Sequence, residues 1–102
     1  MIHHIIIFKF KANMSYIEKE NIVHLFDGLL SLDVIYEGEV YLNDQKADQN
    51  NDDLYFHFVF KTWSDLNSYQ NHPDHLALKQ RLKNNILHRS CIDYEDFNSE
   101  VV

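Results

Sequence analysis

The segment from residue 54 to residue 61 limits the choice of fold more than any other part of this sequence. It reads LYFHFVFK, and every second position holds a large apolar side chain: Leu54, Phe56, Phe58 and Phe60. Alternation with a period of two is typical of a β-strand, because successive side chains of a strand point to opposite faces of the sheet. The positions between them, from Tyr55 to Lys61, hold both polar and apolar side chains. The segment therefore predicts a strand with one face in a core and a second face that needs partial cover.

A second strand is predicted at residues 2–11, IHHIIIFKFK, which are rich in β-branched and aromatic side chains. Its alternation places one set of side chains on a common face: His4, Ile6, Phe8 and Phe10. Ile5 and Ile7 lie on the opposite face. Both faces are apolar near the start of this strand, so we expect both to be covered.

Two helical regions separate the predicted strands. Ser15 and Glu18 have the spacing of a capping box, which predicts a helix that runs to about Leu32. Thr62 or Ser64 starts the second region, and Pro73 interrupts it. Because proline is favoured at the first position of a helix and not in its interior, a new helix is expected to begin at Pro73.

Residues 38–43 and residues 88–97 predict two further strands, and residues 44–53 form a polar loop without periodicity. The order of elements is then strand, helix, strand, strand, helix, strand. This order is typical of the ferredoxin-like α+β fold, βαββαβ, in which helices cover one face of a four-stranded antiparallel sheet.

The helices of such a fold leave the other face of the sheet uncovered. That face carries apolar side chains: Ile5, Ile7, Tyr55 and Val59. A patch of this kind is unusual on a soluble monomer. We therefore expect a homodimer in which two copies bury their helix-free faces against each other about a two-fold axis, as a dimeric α+β barrel.

Length and charge narrow the classes of function. With 102 residues, the chain is expected to form one domain, residues 1–102. The net charge of −7 disfavours nucleic acid and anionic membranes as partners, and it also argues against phosphate-rich ligands.

No segment approaches the roughly 20 apolar residues of a membrane helix. The first residues lack a charged leader, so a cytoplasmic location is expected.

Cysteine content and motifs narrow the chemistry further. Cys91 is the only cysteine, so no internal disulfide can form. Its place in the last strand predicts a buried structural thiol rather than a nucleophile. The sequence contains no Gly-rich phosphate loop, nucleophile elbow or dinucleotide fingerprint, so no cofactor is expected.

Three segments share one resemblance: residues 2–11, the segment YQNHPDHLA at residues 69–77, and DYE at residues 93–95. They resemble the stress-responsive dimeric A/B barrel (Dabb) family. The middle segment closely matches the family's hallmark around a Pro-broken helix, and together with the order of elements the resemblance covers essentially the whole chain. It implies a ferredoxin-like fold that pairs face to face into a dimeric barrel. Most members of the family have no known activity.

One member type, olivetolic acid cyclase, closes a polyketide ring by an intramolecular aldol condensation. By resemblance, its tyrosine and histidine fall at Tyr69 and His75, and its first-strand pocket histidine falls at His4. A further pocket histidine of that enzyme falls at Leu54, so this chain lacks it. His57 lies three residues away and is expected on the other face of the sheet.

The chemistry of an aldol cyclisation assigns roles to these residues. It needs a base beside a carbonyl and a donor for the enolate oxygen. His75 suits the base, because imidazole titrates near neutral pH, and Tyr69 suits the donor. The break at Pro73 is expected to bring the two to one cavity. The expected ligand-binding residues are His4, His72, Phe8 and Phe56.

A structural interpretation competes with the catalytic one. His72 can cap the helix that Pro73 starts, and Tyr69 can fill the core with its hydroxyl bound to the backbone. His72 and His75 also have a spacing that can bind a metal. No cysteine pair or HExxH pattern accompanies them, however, and no metal site is predicted.

Three classes of function remain open. The first is binding of a small apolar molecule in a pocket between the sheet and the helices. The second is an enzyme that uses this pocket, of the cyclase type or of the monooxygenase type found on related dimeric barrels. The third is a structural, stress-associated dimer without a ligand. A cavity of at least ~300 Å³ with apolar walls would favour ligand binding over the third class.

Overall fold

The computed structural model describes residues 1–97. Strands and helices follow in this order: β1 (Ile2–Phe10), α1 (Tyr16–Leu29), β2 (Glu37–Leu42), β3 (Leu54–Phe60), α2 (Trp63–Gln70), α3 (Pro73–Leu82) and β4 (Ile86–Glu95). The strands form one sheet in the order β2-β3-β1-β4, and all neighbouring strands are antiparallel. The predicted ferredoxin-like α+β fold is confirmed. No helix among these residues is long and apolar enough to cross a membrane.

The core lies between the sheet and the helices. Side chains of β1 alternate between buried and half-buried along the whole strand, and Leu54, Phe56, Phe58 and Phe60 of β3 are all buried. From α1, Ile22, Phe26 and Leu29 face this layer. The period-two and helical patterns of the sequence therefore identify the core side of the major elements correctly.

Local sequence signals set the helix ends. Ser15 Oγ accepts the N–H of Glu18 at 3.2 Å, so the predicted start of α1 is confirmed. Thr62 Oγ1 accepts the N–H of Asp65 at 3.1 Å, so Thr62 and not Ser64 is the N-cap of α2. Helix α1 ends at Leu29, earlier than the predicted Leu32. Beyond that point the N–H groups bond to carbonyls three residues back, as from Leu32 to Leu29, which tightens the chain into turns.

Strand β4 lies at one edge of the sheet, and its side chains are exposed or half-buried throughout. Arg89, Cys91 and Asp93 share the side that faces the helices, because they pair with Phe8, Ile6 and His4 of β1. Within residues 1–97 no helix packs closely against this side of β4, and Cys91 is exposed. The prediction of a buried thiol was wrong, since the neighbours of Cys91 in sequence define a strand but not what lies over it.

The helix-free face of the sheet carries the expected apolar side chains. Ile5 and Ile7 are half-buried, and β4 adds Ile92, which is 57% exposed, and Tyr94. His57 also lies on this face, as predicted, where its Nε2 and the Nδ1 of His3 are 2.7 Å apart. Val59, in contrast, is already buried within the single chain.

Asp53 ends the predicted polar loop, yet its side chain is buried. Its Oδ2 accepts the N–H of Phe10 at 2.7 Å, and its Oδ1 accepts a hydrogen bond from Lys19 Nζ at 2.8 Å. One carboxylate thus joins the end of β1, the first turns of α1 and the start of β3. Acids earlier in the loop, such as Asp44 and Asp48, are exposed as expected.

We expect Asp53→Ala to lower the free energy of unfolding by about 2–3 kcal/mol, because a buried N–H and a partly buried ammonium both lose their partner. Urea unfolding measures this change. Asp52→Ala is the matched control. Its carboxylate lies 3.6 Å from the exposed His88, and we expect its loss to cost less than about 0.5 kcal/mol. Equal losses in the two variants would contradict the assignment.

Candidate functional site

A cavity of about 1010 Å³ lies between the sheet and α3. Its floor is apolar and comes mainly from the helix-facing sides of β1 and β3: Ile6, Phe8, Phe56, with Phe26 of α1 and Ile86 of β4. Polar side chains come from α3, from the end of α2, and from His4 and Arg89 of the sheet. The volume is at the upper end of the ~300–1,000 Å³ that is usual for small-molecule sites.

The position of α3 explains the open space. This helix packs against α1 and α2, and it has few close backbone contacts with the sheet. Pro73 has no N–H to continue α2, so the chain turns at Asn71 and His72 before α3 begins. Helix α3 therefore stands over β1 and the uncovered side of β4, with a gap beneath it.

His75 lines the cavity and is half-buried. Its Nδ1 lies 3.0 Å from the carbonyl oxygen of Gln70. A carbonyl only accepts, so Nδ1 carries the proton and Nε2 is left as the acceptor of the ring. Burial lowers the pKa of His75, and nearby Lys79, His4 and Arg89 lower it further against the opposing effect of the Gln70 carbonyl. At neutral pH this imidazole is a neutral base.

Tyr69 packs directly behind His75, with 4.6 Å between the ring centroids. Its side chain is fully buried, and within residues 1–97 its hydroxyl has no hydrogen-bond partner. Burial strongly raises the pKa of Tyr69, so the group is a proton donor and not a base. The hydroxyl does not open into the cavity, so its use as a donor requires the surrounding rings to shift when a ligand binds.

His4 joins this group from the floor of the cavity. It is buried, its ring centroid lies 6.1 Å from that of Tyr69, and its Nδ1 is hydrogen-bonded to the carboxylate of Asp93. An ionised carboxylate only accepts, so it holds the proton on Nδ1 and fixes the tautomer of the ring. Cys91 lies beside this pair, with its Sγ 3.8 Å from His4 Nδ1.

The family model described as Stress responsive A/B Barrel Domain, Dabb, matches residues 2–96. The chain belongs to this family. No curated protein matches its sequence. The resemblance seen in the first strand and around Pro73 is thereby confirmed.

Solved structures agree with this assignment. A dimeric protein of unknown function with a ferredoxin-like fold from Bacteroides fragilis is 27% identical, with a TM-score of 0.75, over 93% of this chain and 95% of that one. A Dabb family protein from Mesorhizobium loti is 25% identical, with a TM-score of 0.74, over 95% and 97% of the two chains. Hydroxynitrile lyase from Passiflora edulis shares the fold at 14% identity, with a TM-score of 0.78 over 95% and 96%.

The structure of this Dabb protein brings most of the predicted site residues together. His4, Phe8, Phe56 and His75 line the cavity, and Tyr69 contacts His75 from behind. His72 is the exception. Its Nδ1 accepts the N–H of Asp74 at 3.0 Å, and it does not line the cavity. The competing interpretation of His72 as the cap of α3 is confirmed, since that contact occupies its ring acceptor.

Sequence reasoning missed Asp93 and Arg89. Asp93 stands opposite His4 in the β1–β4 register, and Arg89 stands opposite Phe8. The antiparallel pairing of the first and last strands is the signal that would have found both. The pairing also groups donor atoms of His4, Cys91 and Asp93 within 4.8 Å of one another. Two members of this group, His4 and Asp93, are hydrogen-bonded to each other.

Proposed function

We propose that this Dabb protein binds a small, largely apolar molecule between its sheet and α3. The observation that carries the proposal is the cavity of about 1010 Å³ with an aromatic floor. Phe8, Phe26 and Phe56 form that floor, with ring centroids 4.8 to 6.1 Å apart. The concave apolar floor with polar groups around it is the arrangement that small-molecule sites usually have, which favours ligand binding over a purely structural dimer.

The polar groups of the site fit a ligand that carries an oxygen acceptor. Tyr69 holds a buried hydroxyl without a partner in residues 1–97, which costs roughly 1–3 kcal/mol in the free protein. A ligand oxygen that reached it would remove this cost. His75 offers the opposite group, an acceptor nitrogen at the wall of the cavity, to which a donor group of the ligand could bind.

The working unit proposed here is a homodimer through the helix-free face of the sheet. Tyr41, Ile92 and Tyr94 are exposed there beside Ile5 and Ile7, and the Bacteroides fragilis protein with the same fold is dimeric. Such an interface leaves the cavity on the other side of the sheet accessible. The expected cytoplasmic location stays a prediction.

A second candidate function is catalysis in the same cavity. It is favoured by the contact between a neutral imidazole and a protonated phenol, the pair that proton abstraction beside a carbonyl requires. The fold itself carries an enzyme in Passiflora edulis, a hydroxynitrile lyase. Leu54 is buried at the position where the cyclase has a further histidine, so this chain would work with His4, Tyr69 and His75 alone.

We expect Leu76→Trp to block the cavity and to weaken binding of the neutral apolar dye Nile red by at least about tenfold, because the larger ring fills space that a ligand needs. Leu76 lines the cavity and is 46% exposed, so the change should fold normally. Fluorescence titration of the dye gives the dissociation constant.

Leu87→Trp is the matched control, since Leu87 is exposed on β4 and lies outside the cavity. It should bind the dye as the unaltered protein does. Binding that survives Leu76→Trp would place the apolar site elsewhere, and a protein that binds neither the dye nor any small apolar carbonyl compound would overturn the proposed function.

A further inference from the structure

The charge around the cavity is opposite in sign to that of the whole chain. The chain has 16 acidic and 9 basic residues, excluding histidine, and a net charge of −7. Among residues 1–97, the side chains that line the cavity nevertheless include Lys79, Lys83 and Arg89 and no aspartate or glutamate. A third of the basic residues thus surround one opening in an acidic protein.

These basic side chains come from two different elements. Lys79 and Lys83 lie four residues apart at the C-terminal end of α3, and so on one side of that helix. Arg89 comes from β4 and points to the helix side of the sheet, because it pairs with Phe8. All three are exposed, so they form the rim of the cavity rather than its floor.

Helix stability alone does not explain this arrangement. Cations near a helix C-terminus are favourable, which accounts for Lys79, Arg81 and Lys83 in part. Arg81 satisfies that requirement without lining the cavity, and Arg89 is not on a helix at all. The convergence of residues from both elements on one opening needs a separate reason.

Among the described residues, no carboxylate neutralises the rim. Within residues 1–97, none of Lys79, Lys83 and Arg89 forms an ion pair, whereas Lys9 and Lys19 both lie close to Asp53. Asp93, an acid on the same face of β4 as Arg89, is hydrogen-bonded to His4. Like charges that surround one opening repel one another, and an anion placed between them relieves that repulsion.

We propose that the ligand of this cavity is an anionic amphiphile, with an apolar tail on the aromatic floor and an oxyanion head, a carboxylate or a phosphate, at the rim of Lys79, Lys83 and Arg89. This inference rests on the proposed function, since it names the class of molecule that the same cavity binds. The net charge of the chain had argued against phosphate-rich ligands. That argument does not apply at this opening, because the charge of the rim is opposite to the net charge.

The test compares decanoate, decyl phosphate and neutral decanol as competitors of Nile red. We expect the better of the two anions to bind at least about tenfold more tightly than decanol, since hydrogen bonds to charged groups are the strong ones. The difference should shrink as salt is added, because the rim is exposed and is screened by ions. The ranking of the two anions identifies the head group.

Substitutions at the rim test whether its basic side chains cause the preference for anions. Arg89→Gln and Lys79→Gln should each weaken the binding of the preferred anion by roughly fivefold to tenfold and leave decanol unchanged. Arg81→Gln removes the same charge from the same helix away from the cavity and should change neither. Thermal unfolding of all three variants checks that the fold is intact.

The outcomes separate the two proposals. If all three compounds displace the dye with equal affinity, or if Arg81→Gln acts as strongly as Arg89→Gln, the anionic head group is wrong and apolar binding stands. If neither the dye nor any of the compounds binds, the proposed function itself fails.

Discussion

Ile92→Glu is expected to dissociate the proposed dimer into monomers. Ile92 is 57% exposed in the single chain and lies on the helix-free face, across from Ile5 in the β1–β4 pair. In a two-fold interface each substitution occurs twice, and each buried carboxylate without a partner costs several kcal/mol. The dimer dissociation constant should therefore rise by roughly a thousandfold or more. Sedimentation velocity over a range of protein concentrations measures it.

Ile17→Glu is the matched control for this change. Ile17 is 70% exposed on α1, away from the helix-free face, so the same substitution should leave the dimer intact. Binding of Nile red should survive in the Ile92→Glu monomer if that monomer is folded, because the cavity lies on the other side of the sheet. A dimer that tolerates Ile92→Glu but is lost with Ile17→Glu would place the interface on the helices instead.

The fold was predictable because its main signals are local. Alternation in residues 54–60 and 2–10 reports directly on which side chains face the core, and Ser15, Thr62 and Pro73 mark where helices begin. Whether a helix packs over a strand, in contrast, depends on residues that are distant in sequence. Nothing next to Cys91 in the sequence reveals that no helix of residues 1–97 packs closely against β4, and nothing next to Asp53 reveals that Lys19 and the N–H of Phe10 meet it.

The candidate site likewise contains some contacts that local sequence predicts and others that it does not. Tyr69 and His75 come from one short segment, and the break at Pro73 predicted that both face one cavity. Their rings do meet, but only His75 lines the cavity, and the Tyr69 hydroxyl is buried behind it. The partner of His4 lies 89 residues away in sequence, and it becomes visible only when β1 and β4 are paired in register. The basic rim could not be predicted from local sequence for the same reason. Arg89 comes close to Lys79 and Lys83 only because α3 stands over the sheet.

His75→Gln is expected to abolish any proton abstraction that the cavity performs. The probe is the exchange of α-protons of 2-decanone in deuterated buffer, followed by proton NMR, because this exchange needs a base and no further reaction. A positioned general base contributes a factor of about 100 to 10,000, so loss of the imidazole should lower the exchange rate by at least about 100-fold. His72→Gln is the control, since His72 caps α3 outside the cavity, and it should keep the full rate.

The pH profile provides a second readout for His75. Only the neutral imidazole acts as a base, so the exchange rate should rise with pH and level off once the group is deprotonated. Burial lowers the pKa of His75 below the ordinary 6.5, so the half-maximal rate should fall below pH 6.5. A midpoint above that value, or exchange that survives His75→Gln, would assign the base to another group. Absence of exchange with bound 2-decanone would leave this protein as a binder.

Tyr69→Phe tests the proposed proton donor, Tyr69, while the proposed base, His75, is left in place. Burial acts on the two groups in opposite chemical senses: it raises the pKa of the phenol and lowers the pKa of the imidazole, so one apolar environment holds Tyr69 protonated and His75 neutral at the same pH. The Tyr69 hydroxyl has no partner in residues 1–97, so its removal should not reduce the free energy of unfolding. We expect the variant to be as stable as the unaltered protein and to exchange α-protons roughly tenfold more slowly, because an enolate oxygen loses its donor. Loss of stability with an unchanged exchange rate would instead make Tyr69 a core residue without a catalytic role.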